Sequence, residues 1–345
     1  MLGVVLGLAS IAGQLVGGLL IGADVLGSGW RPVFWINVPI GLATMLLAAA
    51  WLPESTADQA RRLDLRGAAV LSVALFLVTF PLIQGHQAGW PGWAWACLAA
   101  SVPCLAAFVI LERRIAARGG APLVRISLFR ARSFAVGILL VLVIYTVVTS
   151  YYLVLSLSLQ DGLGMSALQA GLVYTPAAAT FFVFSLIAGR LVPVHGRRVL
   201  EIGALVLVLG YAATAVLLVS GAPFTPEVVI PTLMLQSAGG GLLITPSLGA
   251  VLSRIDPGDA GVASGVLSTA QQVGGALGVA VIGVVYFAAL DQTGAPAHGL
   301  AMASFATLTA AVLAVVLVYL LPRHGTAPRN MRDGATLVNT AGDDR

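Results

Sequence analysis

Long stretches without a single charged side chain set the strongest constraint on this sequence. Residues 1–23, 32–53, 67–111, 133–160, 162–189, 202–226, 228–253, 260–290 and 292–322 contain no Asp, Glu, Lys or Arg. A helix rises ~1.5 Å per residue, so about 20 such residues cross the ~30 Å hydrocarbon core of a bilayer. Hydrocarbon offers no water to backbone N–H and C=O groups, so these runs are read as helices. Residues 67–111 are too long for one span and are broken by Gly85-His86-Gln87-Ala88-Gly89-Trp90-Pro91-Gly92, giving two. The sequence therefore predicts an all-α, polytopic membrane protein with ten transmembrane helices. Its 9% of charged residues, against about a quarter in soluble domains, excludes a soluble enzyme or binding module of ordinary composition. The first run lacks a basic leader and a small-residue cleavage site, so it reads as a span rather than a signal peptide.

The formal charge of +4 would suit a nucleic-acid partner, but its distribution points elsewhere. All 18 basic residues are arginine, and when the connections are assigned alternately to two sides, only Arg31 falls on the second side. This is the positive-inside pattern, and it predicts both termini in the cytoplasm of a multi-pass cell-membrane protein. The partner implied is a lipid bilayer, with no nucleic acid. Trp30, Trp35, Trp51, Trp90, Trp93 and Trp95 all fall near predicted span ends, where an aromatic belt belongs. Cys97 and Cys104 share one apolar stretch and match neither a disulfide framework nor a zinc spacing.

The sequence offers no constellation for an enzyme, a metal or a cofactor. His86, His195, His298 and His324 lie in loops or the tail, and no zinc, phosphate-loop or hydrolase pattern occurs. Gly239-Gly240-Gly241 lies within an apolar run and reads as a flexible or closely packed point of a helix. A proton-coupled transporter would be expected to carry an intramembrane carboxylate. Every acidic residue here falls at a span end, in a loop or in the tail; Asp161 and Glu201 come nearest the interior and are read as solvated. Within the spans lie uncharged polar and aromatic groups: Tyr145, Tyr151, Tyr152, Tyr174, Gln236, Gln271 and Gln272. A mid-span Gln is costly in lipid and is expected to face the bundle interior. These seven are candidates for lining a cavity for a small lipophilic, weakly polar substrate. The alternative is interhelical hydrogen bonding, worth only about 1 kcal/mol per pair.

Glycines recur at four-residue spacing in two spans: Gly3, Gly7, Gly13, Gly17, Gly18 and Gly22 in the first, and Gly261, Gly265, Gly274 and Gly278 with Ala270 in a later one. Such faces let helix backbones touch in lipid. Gly13-Gln14-x-x-Gly17-Gly18, the Trp30-Arg31 turn and Phe34-Trp35-Ile36-Asn37-Val38-Pro39-Ile40-Gly41 resemble the fifth and sixth helices of the fourteen-span drug/proton antiporters of the major facilitator superfamily. That family's antiporter motif usually reads Gly-Pro where this chain has Gly13-Gln14. Leu159-Gln160, Gly164, Ser166, Ala170-Gly171 and Pro176 resemble an outer turn of the family. Gly189-Arg190-Leu191-Val192-Pro193-Val194-His195-Gly196-Arg197-Arg198 resembles its cytoplasmic loop motif, with Pro193 and Val194 at positions that usually carry Asp and Arg. Arg197 and Arg198 also read simply as inside-facing topology signals. Gly261 to Gly265 and Thr269 to Ala280 resemble the family's thirteenth helix.

The resemblance implies a multidrug exporter whose two helical bundles rock around a central site, coupled to protons. On this mapping residues 1–52 are the last two helices of the N-terminal bundle, 53–132 two linking helices and a cytoplasmic connection, 133–322 the C-terminal six-helix bundle, and 323–345 a disordered tail. The expectation is thus the last ten of fourteen helices. The rivals are a truncated, transport-inactive membrane protein and one part of a split transporter whose partner supplies the other helices.

Overall fold

The computed structural model describes residues 2–23, 27–51, 64–85, 88–120, 122–252, 255 and 257–322, with the side-chain surroundings of several N-terminal positions, Gln14 among them, outside that description. The expected tail at 323–345 likewise lies outside the described residues. The chain is built of α1 (Leu2–Gly22), the short α2 (Pro32–Trp35), α3 (Asn37–Trp51), α4 (Leu65–Gln84), α5 (Gly92–Ala117), α6 (Arg132–Leu157), α7 (Ala167–His195), α8 (Arg197–Val219), α9 (Pro226–Leu252), α10 (Ala260–Thr293) and α11 (Pro296–Leu320). Among the described residues, nine helical segments, with α2 and α3 taken as one, are long and apolar enough to cross a membrane. To these α1 adds a further uncharged helix of 21 residues. No strand occurs among the described residues.

Local sequence explains the helix boundaries. Ser166 caps α7 by accepting from the Gln169 N–H while the Gln169 side chain accepts from the Ser166 N–H, a reciprocal capping box. Just upstream, Gly164 turns the chain with φ of +67°. Asp64 caps α4, its Oδ1 accepting from the Gly67 N–H at 2.9 Å. Between α7 and α8 the whole connection is Gly196, at φ +55° and ψ −127°, a conformation that strains any residue with a Cβ.

Helices α6 to α11 pack together, with α6 and α9 more than half buried at its centre. Their outward faces are apolar: Leu205, Leu209 and Val216 of α8 and Val312, Leu313 and Val316 of α11 are all well exposed. In lipid such faces need no protein cover. Helices α4 and α5 form a separate pair that touches this bundle through α4 against α10, while α1 lies along α7. Helix α3 buries none of its residues.

Glycine sets the interhelical distances. A methyl group at Gly274 would strike the Leu142 carbonyl oxygen and one at Gly278 the Thr146 carbonyl, so α6 and α10 meet backbone to backbone. Thr146 Oγ1 donates across this seam to the Gly274 carbonyl at 3.0 Å. Helices α8 and α9 meet in the same way, Gly239 abutting Leu207 and Gly203, and Gly210 abutting Gln236. Gly241 does so against Phe181 and Ser185 of α7, so the glycine triplet is a closely packed wedge between two helices. In α1 the stripe is used selectively: Gly18 lies 2.9 Å from a Leu168 Cα if given a Cβ, whereas Gly13, Gly17 and Gly22 have open space.

Gly278→Ala is expected to force α6 and α10 apart and to lower stability by about 1–3 kcal/mol, the usual cost of overpacking. Gly283→Ala, where a Cβ meets nothing within 4 Å, should stay within about 0.5 kcal/mol of the parent. Thermal unfolding of the two variants in one detergent, followed by monodispersity on gel filtration, reads the difference.

Candidate functional site

The buried polar groups gather along the inner faces of α6, α8, α9 and α11. Tyr151 of α6 is fully buried, its ring edge-on to Tyr211 of α8 at 4.9 Å between centroids. Its hydroxyl faces Thr214, Gln236 and Ser304 but makes no well-aligned hydrogen bond. Gln236 of α9 is itself buried and donates to Thr214 Oγ1 at 3.0 Å. The next residue, Tyr152, stacks on Tyr174 of α7 at 5.2 Å, and the Tyr174 hydroxyl donates to the Tyr152 carbonyl at 3.0 Å. The network is uncharged throughout, which suits a site in a low-dielectric interior where an unpaired ion would be costly.

A second group lies on the more open side of α6 and α10. Gln271 Nε2 donates to the Tyr145 hydroxyl at 2.9 Å, and both residues are half-buried. Exposed Thr149 sits a turn away, in contact range of Gly275. Gln272 points elsewhere. Successive residues on a helix diverge by about 100°, and Gln272 is exposed beside Leu75 and Thr79 of α4 in a shallow apolar depression of about 280 Å³. The seven sequence candidates therefore fall into an interior group of Tyr151, Tyr152, Tyr174 and Gln236, an open-face pair of Tyr145 and Gln271, and Gln272 alone against the linking helices.

Sequence reasoning missed Tyr211, Thr214 and Ser304. For the first two the signal was present: Gly203, Leu207, Gly210, Tyr211 and Thr214 fall on one helical stripe of α8, and small and polar residues at that spacing mark a buried face. It also missed that Tyr286 of α10 meets Ser158 at 3.2 Å, below the tyrosine layer.

At the end of α7 the turn motif becomes a tether. Gly196 permits the reversal, and Arg197 then reaches Glu201 at 2.7 Å and the Leu321 carbonyl at 2.8 Å, with Tyr319 beneath its guanidinium at 5.7 Å. This ties the α7–α8 turn to the end of α11. Glu201, expected to be solvated, is instead largely buried in this pair. Arg198 is exposed, and Gly189 has open space around it.

Comparison with known proteins decides the family, for residues 1–279 match the family model described as Major Facilitator Superfamily. The chain belongs to the major facilitator superfamily. Among superfamily relatives it is 38% identical over 292 residues to a Streptomyces coelicolor protein named "Probable actinorhodin transporter", covering 84% of this chain and 50% of that one. It is 36% identical over 281 residues to a cephamycin export protein of Amycolatopsis lactamdurans, covering 79% and 56%. It is also 30% identical over 291 residues to a tetracenomycin C resistance and export protein of Streptomyces glaucescens, covering 81% and 51%. The chain thus spans about half the length of these curated superfamily relatives.

Arg197→Ala should cost about 1–3 kcal/mol, because it strands Glu201 and an end carbonyl of α11 together. Arg197→Lys should recover only part of this, since an ammonium lacks the planar fork that serves both acceptors. Thermal melts of the purified variants check the order wild type, Lys, Ala.

Proposed function

We propose that this chain contributes the membrane body of a secondary active transporter exporting lipophilic, weakly polar small molecules. The observation that carries this reading is the uncharged, half-buried Tyr145–Gln271 pair on the open face of a helical bundle whose superfamily relatives bear antibiotic-export names. Such a surface offers aromatic faces and a few hydrogen-bonding groups without the desolvation cost of fixed charges. Tyr145 and Gln271, half-buried on an open face, are the groups we assign to substrate contact. The interior tyrosines, Gln236 and Gln272 serve packing and orientation. Alternation of access is then a rocking of two bundles, the six-helix bundle held rigid by its glycine seam at Gly274 and Gly278, with the antiporter-motif stretch Gly13 to Gly18 on the helix that meets it across the boundary at Gly18. Residues 133–322 act as one bundle, 53–132 as the linker and 1–52 as part of the opposing bundle. The arginine-rich side faces the cytoplasm, and energy is supplied by protons rather than by any catalytic chemistry.

Because the chain spans about half the length of its curated relatives, a second reading is that additional helices complete the cavity wall from a partner. The two readings separate in one experiment: accumulation of a fluorescent lipophilic cation in cells expressing the chain alone, or with the first four helices of a relative, each with and without a protonophore. Lower accumulation with the chain alone, reversed by the protonophore, supports a self-sufficient proton-coupled exporter. Lower accumulation only on co-expression supports the partner reading. Accumulation equal to empty cells in both arms would count against export of that substrate. In whichever arm is active, Gln271→Ala and Tyr145→Phe should reduce efflux by roughly tenfold, the effect of about 1.4 kcal/mol, at unchanged membrane levels.

A further inference from the structure

A pair of carboxyl groups lies at the junction between the linking helices and the connection that follows them. Glu112, on the last turns of α5, is fully buried. One of its oxygens, Oε2, accepts from the Val124 N–H at 2.7 Å, which holds the connection against the helix pair. The chain reverses to reach this position at Gly119, with φ of +72°. The other oxygen, Oε1, is buried and receives no hydrogen bond, and the same is true of Asp64 Oδ2 at the start of α4. Both orphan oxygens converge on Gly67: a methyl there would lie 2.5 Å from Asp64 Oδ2 and closer still to Glu112 Oε1. Gly67 leaves room for the two acids to meet.

Two ionised carboxylates facing each other in a buried site, each with an acceptor lacking a donor, are strongly unfavourable. One proton between them resolves both deficits, since a protonated carboxyl donates an O–H to the neighbouring carboxylate. We infer that Asp64 and Glu112 form a single proton-binding site whose shared proton latches the 118–131 connection onto the linking helices. Loss of that proton to water leaves two adjacent negative charges, and the latch opens as pH rises.

The surrounding charges leave the pair to itself. Arg113, Arg125 and Arg130 share with Glu112 a cavity of about 720 Å³, in which Arg125 is engaged by Asp259 at the start of α10, at 2.9 Å. Arg113 and Arg130 are exposed on the rim, as is Arg66 on α4. The arginines at 61 and 62 lie outside the described residues. The Arg125–Asp259 pair extends the latch to the six-helix bundle, so its release would uncouple α4 and α5 from α10 at this end. The site lies apart from the tyrosine network, and the latch does not depend on the export reading.

Infrared spectroscopy and limited proteolysis of the whole chain in lipid nanodiscs test this without any transport assay. At neutral pH the wild type should show the C=O absorption of a protonated carboxyl. That band should vanish in both Glu112→Gln and Asp64→Asn, because each amide donates to the remaining acid and leaves it ionised. A band absent from the wild type, or persisting in either variant, would overturn the shared proton. Glu112→Gln mimics the protonated state, one side-chain atom accepting from Val124 and the other donating to Asp64. Tryptic cleavage within 118–131 should therefore match this variant at low pH. In the wild type relative to Glu112→Gln it should then rise by up to roughly tenfold per pH unit above the midpoint, as for one-proton linkage. A ratio flat across pH would sink the latch. If Glu112→Gln does not fold, Asp64→Asn serves as the pH-insensitive reference.

Discussion

Backbone contact at glycine is the interaction on which this bundle depends. Lipid tails are as apolar as leucine, so burying Leu or Val between two helices gains little over leaving it in the membrane. Close approach has to supply the stability, through dispersion and through polar groups that cross a short gap. The α6–α10 seam shows both: Gly274 and Gly278 admit the carbonyls of Leu142 and Thr146, and the Thr146 hydroxyl then donates across the seam to Gly274. The α8–α9 seam follows the same rule at Gly203, Gly210 and Gly239, and there Gln236 is brought within reach of Thr214. The polar network is thus a consequence of the glycine spacing.

The charge pattern is the complement of this packing. Helix interiors carry hydroxyls and amides, which satisfy each other at modest cost, while ionised groups sit at helix ends. There they work as ties: Arg197 to Glu201 and the α11 terminus, and Arg125 to Asp259. Arg197 serves three partners from one side chain, so the α7–α8 turn, although it carries Pro193 and Val194 rather than charges before it, is anchored through its basic end.

Much of the fold was legible because membrane topology is written one residue at a time. Charge-free runs located the spans, while their exact ends, such as the Ser166 capping box of α7, emerged only in the structure. What was not legible is which face of a helix meets which neighbour. The four-residue glycine steps of α1 are as regular as those of α10, yet Gly13 and Gly17 have open space while Gly274 and Gly278 are in contact. Spacing shows that a face can pack, not what packs on it. Gln271 and Gln272 are alike in composition but lie about 100° apart, so one meets Tyr145 and the other faces α4. Glu112 sits at a span end by sequence, but the turn at Gly119 folds the connection over it. That closure depends on contacts between segments far apart in sequence, to which periodicity is blind.

The contrast between seams also bears on what can move. Within α6 to α11 the α6–α10, α8–α9 and α7–α9 seams are locked by glycine contacts, so relative sliding there would force carbonyls into Cα atoms. Close-packed interfaces of this kind are bistable rather than continuously deformable. The helices that flank this unit are held differently. Helix α1 meets α7 with one tight glycine contact at Gly18, and α4 and α5 are fastened at one end through the acid pair and Arg125. The α4–α10 boundary, sparser than α1–α7 and tied at one end by polar contacts, is therefore where motion meets the least packing, and the proton shared by Asp64 and Glu112 acts there.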